Sequence, residues 1–207
     1  MRHLPVYILI DTSGSMKGEP IKSVKVGLAD MIATLRQDPY ALETVCISII
    51  TFDREVKQVM PLTELEKLQL PDISISDSEI SNLGLALKIL YKRIGVEVKK
   101  NTAEKKGDWR PHLFVFTNGI LSDVKESDLN ILRIKTLIFD NVVVFTGAKA
   151  KVESLKKLTN QVFCLDAMEA TSFIKFFVWI NYPIPIPPLV ESVNKLPSPP
   201  EDIQIVI

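Results

Sequence analysis

The run Leu4-Pro-Val-Tyr-Ile-Leu-Ile10 carries no charged side chain until Asp11, where it breaks into the turn Thr12-Ser13-Gly14-Ser15. A strand that is apolar on both sides is buried on both faces, the state of a strand inside a parallel sheet covered by helices. Beyond the turn, Ile21, Val24, Leu28, Met31, Ile32 and Leu35 recur at helical spacing, and Pro20 sits in that helix's first turn. The same alternation repeats downstream. Val45–Phe52, His112–Thr117 and Val142–Phe145 read as buried strands, and Gln161–Leu165 as a short last one. Between and after them, Leu83, Leu87, Leu90 and Ile94, the segment Lys151–Leu158, and Phe173, Phe176, Phe177 and Ile180 mark helices. Val56–Met60 follows Asp53-Arg54-Glu55 as the return of a hairpin, which predicts an antiparallel edge strand. Strands alternating with helices at this spacing give an α/β, doubly wound, mostly parallel sheet with right-handed crossovers.

The 207 residues suit one domain, expected over 1–182, and 46% are hydrophobic, enough for a single core. Lys+Arg and Asp+Glu balance at 25 each, which leaves no net field to steer nucleic acid or an anionic membrane. Lys99, Lys100, Lys105 and Lys106, interrupted by Glu104, read as a solvated loop. Cys46 and Cys164 lie in apolar runs and suit buried, reduced thiols, so a cytoplasmic location is expected. No Cys-x-x-Cys or Cys/His cluster offers a zinc site. The N-terminal apolar run is too short for a signal peptide or a membrane span, and prolines, Lys175 and Asn181 interrupt the stretch from Phe173 to Val190. From residue 183 to 207 the chain becomes a proline-rich tail ending in Ile203-Gln-Ile-Val-Ile207. We expect its last residues to dock on the domain, a free tail being the alternative.

Asp11, Ser13 and Ser15 project from one turn at the carboxyl end of the first strand, where doubly wound sheets bind ligands. A carboxylate with hydroxyls is a hard, oxygen-only set that suits Mg2+ or Mn2+ and leaves a coordination position for a visiting carboxylate. Gly14 and Gly18 let the turn fold closely. A helix-capping Asp/Ser turn is the simpler alternative. Asp53 reads as a turn former, Trp109 and Trp179 as packing, and Met16 as an apolar foothold for a partner.

Asp-x-Ser-x-Ser after an apolar strand resembles the opening of the metal-ion-dependent adhesion site (MIDAS) of von Willebrand factor A (vWA) domains. The segment from Leu4 to Ile21, together with Arg36–Thr44, Ile50–Asp53, Pro61–Thr63, Thr102–Trp109 and Leu196–Ile207, is similar to the TerY group. These are vWA proteins of tellurium-resistance and related stress operons, and the similarity spans essentially the whole chain. The resemblance implies a six-stranded sheet of order 3-2-1-4-5-6 with strand 3 antiparallel. It also puts Cys46 and Cys164 on strands too far apart for a disulfide. It implies metal ligands at Asp11, Ser13 and Ser15, with Ser81 of Ile80-Ser-Asn-Leu-Gly84 replacing the family's threonine. Thr117-Asn118-Gly119 stands where Thr-Asp-Gly is usual, so Asn118 replaces a carboxylate and weakens the site. Asn118 would hold a metal-bound water or hydrogen-bond Asp11 or Ser13 directly, and Asp123 is a candidate substitute acid.

The implied function is a non-catalytic interaction module presenting this rim to an acidic side chain. Its partner would be a tellurium-resistance protein, kinase or phosphatase of the same operon. His3 and His112 lie at strand starts, away from Asp11, so no Ser-His-Asp triad forms. Position 13 is not the second aspartate of a phosphatase motif, and no Gly-Lys-[Ser/Thr] follows. A Mg2+-dependent phosphoester or nucleotide hydrolase is the alternative. Replacing Asp11 by alanine is expected to weaken partner capture with little effect on thermal stability.

Overall fold

A computed structural model describes residues 2–118, 120–123, 139–147, 150, 152–165 and 203–205. The expected final helix at Phe173–Ile180, Trp179 and the prolines from 183 to 200 lie outside them. Seven strands form one sheet: β1 (Leu4–Asp11), β2 (Val45–Phe52), β3 (Val56–Glu64), β4 (His112–Phe116), β5 (Asn141–Gly147), β6 (Val162–Leu165) and β7 (Ile203–Ile205). Their order is β3-β2-β1-β4-β5-β6-β7. The first six keep the order 3-2-1-4-5-6, parallel throughout except for β3, which pairs antiparallel with β2. β7 pairs antiparallel with β6, Leu165 opposite Ile203, and so adds a second antiparallel edge to the one expected.

Every residue of β1 and β2 is buried, as continuous apolar runs require when both sheet faces are covered. Val6, Ile8 and Ile10 point to the face packed by helix α1 (Glu19–Leu35), while Tyr7 and Leu9 point to the face packed by α3 (Leu83–Glu97). α1 buries Ile21, Val24, Leu28, Met31, Ile32 and Leu35, each worth about 1.5–3 kcal/mol relative to exposure. Gly18 precedes α1 with φ at 92°, a conformation that L side chains rarely adopt. A short helix, α2 (Pro39–Thr44), is capped by Asp38, whose Oδ1 accepts from Tyr40 N at 2.8 Å and Ala41 N at 3.3 Å. The last described helix is α4 (Val152–Lys156).

β2 and β6 are separated by β1, β4 and β5. At about 4.8 Å per strand, the backbones at Cys46 and Cys164 stand some four spacings apart, beyond disulfide reach. Met16 is fully buried in the core beneath α1. The foothold assigned to it is therefore corrected: its side chain fills the interior and offers a partner nothing. Trp109 packs against the core edge, with Tyr40 at 6.4 Å between ring centroids and the Arg2 guanidinium 5.0 Å from its ring. No helix among the described residues is long and apolar enough to cross a membrane.

Candidate functional site

Asp11 shares the strand parity of Tyr7 and Leu9, so its side chain leaves the sheet on the α3 side. There it meets Ser81, just ahead of α3, and Thr117, the first residue past β4. The pairing of Ile10 with Phe116 sets Thr117 level with Asp11. Asp11 Oδ2 accepts from Ser81 Oγ at 2.8 Å and from Thr117 Oγ1 at 2.7 Å. Asp11 Oδ1 accepts from Ser13 N at 2.9 Å, and the Ser13 and Ser15 hydroxyls lie 2.8 Å apart. Asp11, Ser13, Ser81 and Thr117 are 0% exposed, whereas Ser15 and Asn118 are partly exposed and form the solvent-facing rim.

A buried carboxylate is costly unless a cation or hydrogen bonds compensate it. Here three donors from three separate loops do so, and no ion pair among the described residues involves Asp11. Bonds to a charged acceptor are the stronger ones, which makes Asp11 a staple for the loops. The expectation that its removal leaves stability unchanged is therefore revised, since alanine would take an acceptor away from two buried hydroxyls and a backbone amide. The set fits a hard divalent cation: five oxygen-bearing side chains converge, and among the described residues no cationic side chain competes. No cluster of three or more His, Cys, Asp or Glu suited to a metal exists among the described residues.

Four of the five expected ligands, Asp11, Ser13, Ser15 and Ser81, are thus brought together. Asn118 is not joined to them. Its Oδ1 accepts from Ile120 N at 3.2 Å, and among the described residues no hydrogen bond links it to Asp11 or Ser13. Thr117 takes that place. The strand register carries the signal for it, because the residue after a buried strand lies beside the carboxylate ending its parallel neighbour.

Asp123 does fold back, but onto the helix terminus. Its Oδ1 accepts from Gly84 N at 3.0 Å and its Oδ2 from Leu85 N at 2.8 Å, capping α3 where Asn82 makes no side-chain cap. A Cβ at Gly84 would lie 3.0 Å from Asp123 Oδ2, so glycine admits the carboxylate. Next to it, Ser81 N donates to Ser122 Oγ at 3.1 Å and Ser122 N to Ser81 O at 2.9 Å. Ser81 is therefore fixed by a loop 41 residues away.

An open cleft of about 490 Å³, lined by Asp53, Arg54, Glu55, Ser76, Asp77 and Ser78, adjoins the turn. Ser76 N donates to Thr12 O at 2.9 Å and Gly14 N to Ser78 O at 2.8 Å, which holds the cleft wall against the site. Asp53 Oδ1 accepts from Glu55 N at 2.7 Å, a turn-forming contact, and Oδ2 from Thr12 Oγ1 at 3.3 Å. A hydrogen bond from Lys57 lowers the Glu55 carboxyl from its ordinary value.

Comparison with known proteins agrees with this fold. The von Willebrand factor type A domain profile matches residues 6–173. No curated protein sequence matches. Among solved structures, proximal thread matrix protein 1 from the mussel byssus, with a zinc-occupied MIDAS motif, is similar at 13% identity and TM-score 0.60, over 87% of this chain and 48% of that one. A von Willebrand factor type A protein from Catenulispora acidiphila gives 14% identity and TM-score 0.62, over 85% of this chain and 41% of its own. The ArnB paralog VWA2 from Sulfolobus acidocaldarius gives 14% and 0.58, over 84% and 45%. The chain thus spans under half the length of these structures, and at such identities the likeness speaks for the fold.

Proposed function

The chain belongs to the von Willebrand factor type A family, whose domains are generally protein-interaction modules, and from that premise we propose that it captures a partner's carboxylate at the Asp11 rim through a divalent cation. One observation carries the reading: a fully buried carboxylate whose neighbours are hydroxyls and an amide, with no cationic side chain among the described residues paired to it. Asp11, Ser13, Ser15, Ser81 and Thr117 would hold the ion, which when bound supplies a Lewis-acidic position open to an incoming carboxylate. Oxygen ligands favour Mg2+ or Mn2+. The zinc-occupied motif of the mussel protein adds Zn2+ to the ions to be tested.

Asn118 in place of a second acid makes the site a degenerate one of reduced affinity. His3 and His112 lie at the amino ends of β1 and β4, so neither histidine serves Ser13 or Ser15 as a base, and this favours binding over hydrolysis. The resemblance of the sequence to the TerY group supports a role in a tellurite-resistance or related stress system. Its partner there is a tellurium-resistance protein, a kinase or a phosphatase presenting an acidic side chain.

The test is capture from native extract on immobilised wild type, Ser15→Ala and Asp11→Ala, with Mg2+ or with chelator. Ser15 lies at the partly exposed rim, so its variant keeps the test valid if Asp11→Ala is poorly folded. A partner retained with Mg2+ and lost with chelator and with Ser15→Ala supports the proposal. Capture indifferent to both, or phosphoester turnover abolished by Ser15→Ala, overturns it.

A further inference from the structure

The α3–β4 connection lies at the pole opposite Asp11, and it is built more tightly than a solvated loop requires. Asp108 N donates to Lys99 O at 2.9 Å, while the Asp108 carboxylate accepts from Lys99 N at 2.9 Å and His3 N at 3.1 Å. Within the loop, Gly107 N donates to Asn101 Oδ1 at 2.7 Å, Thr102 N to Lys105 O at 2.9 Å, and Lys105 N to Thr102 Oγ1 at 3.1 Å. A Cβ on Gly107 would lie 2.3 Å from the backbone oxygen of Lys99, so only glycine lets the two ends close. This scaffold presents residues 99 to 106, all exposed. Among the described residues, Lys99, Lys100, Glu104, Lys105 and Lys106 enter no ion pair.

We propose that the chain associates head to tail. Glu104 at the tip of one copy's loop is the carboxylate received at the Asp11 rim of the next, and the flanking lysines enter the acidic cleft beside it. The proposal rests on the reading of that rim as a carboxylate receptor. The charges are complementary: four lysines against Glu104 leave three positive charges on the tip, and Asp53, Glu55 and Asp77 against Arg54 leave two negative in the cleft. Asp77 and Glu55 hold exposed lysine partners at 3.5 Å and 2.7 Å, pairs weak enough for an incoming lysine to displace. Tip and rim lie at opposite ends of the same strands, so they cannot meet within one copy. A heterologous contact of this kind extends in one direction and need not close.

Sedimentation velocity on the full chain at low ionic strength with Mg2+ tests this. Wild type is expected to shift from monomer to dimer and larger species as concentration rises, and to return to monomer with chelator or high salt. Glu104→Gln and Ser15→Ala are each expected to lose the shift. Mixed together they should recover a dimer that grows no further, because one supplies an intact rim and the other an intact tip. Lys105→Glu combined with Lys106→Glu should also abolish association. A wild type that stays monomeric, or a mixture that recovers nothing, overturns head-to-tail association. Mg2+ titration of the Glu104→Gln protein separates the two ideas: retained binding in a monomeric wild type leaves the rim intact and removes only self-association, whereas no binding removes both.

Discussion

Thr117→Val removes one donor from Asp11 while keeping the shape of the side chain. Thr117 Oγ1 lies 2.7 Å from Asp11 Oδ2, in a site where both residues are 0% exposed. Burial of both residues leaves that carboxylate oxygen one donor short. Hydrogen bonds to a charged group are worth about 1.5–3 kcal/mol, so a loss of about 2 kcal/mol is expected. For a chain of this length each kcal/mol moves the melting temperature by about 2–4 °C, which makes the drop readily measurable. Urea unfolding followed by circular dichroism, with chelator present throughout, isolates the protein's own contribution. Ser81→Ala removes the other donor to Oδ2, and a double-mutant cycle should return a coupling above about 0.5 kcal/mol, as expected for residues sharing one acceptor. A loss under about 0.5 kcal/mol for Thr117→Val, the level of a surface substitution, would refute the view of Asp11 as a staple.

Asp123→Ala leaves the amides of Gly84 and Leu85 without their cap and should cost about 1–2 kcal/mol in the same assay; unchanged stability would contradict the capping role. Burial lowers the pKa of His112 to about 4 from its ordinary 6.5, so the unfolded chain binds the extra proton first as pH falls. Its contribution is full above pH 6.5 and is lost between there and about pH 4, on the order of 3 kcal/mol. Wild-type stability should therefore fall more steeply over that window than that of His112→Gln, and parallel curves would count against it. Burial also pushes the Cys46 thiol up to about 11. In a Cys164→Ser background its reaction with a thiol reagent at neutral pH should wait on unfolding, and prompt labelling of the native protein would contradict its burial.

Much of the fold is legible in the sequence because its strands are apolar on both sides. β1 and β2 need both faces covered, and the bounds of β2 coincide with the apolar run Val45–Phe52. β3 runs on to Glu64, past the expected end at Met60. Pro61 looks like a stop, but an edge strand tolerates a residue with no N–H to give, and the register with β2 is irregular between Ile47 and Ile49. α2 goes unread because six residues give too little periodicity, although Asp38-Pro39 is a legible start. At the site, Asp11, Ser13 and Ser15 come from one turn and Ser81 by way of the family resemblance. Asp123 as a cap is invisible locally, because its partners lie 38 and 39 residues away. The solvated-loop view of the lysines counted charges only; the backbone bonds that shape residues 99 to 108 depend on Asn101, Thr102 and Asp108 meeting in space.

We propose that a divalent cation is held at Asp11 with one carboxylate fewer than the family pattern supplies. Calorimetric titration of Mg2+ and Mn2+ into wild type, Asn118→Asp and Asp11→Asn tests it directly. Weak binding by wild type is expected, with tighter binding once the second carboxylate is restored and none without the first. Equal heats from wild type and Asp11→Asn, or an Asn118→Asp protein that binds no better than wild type, would contradict it.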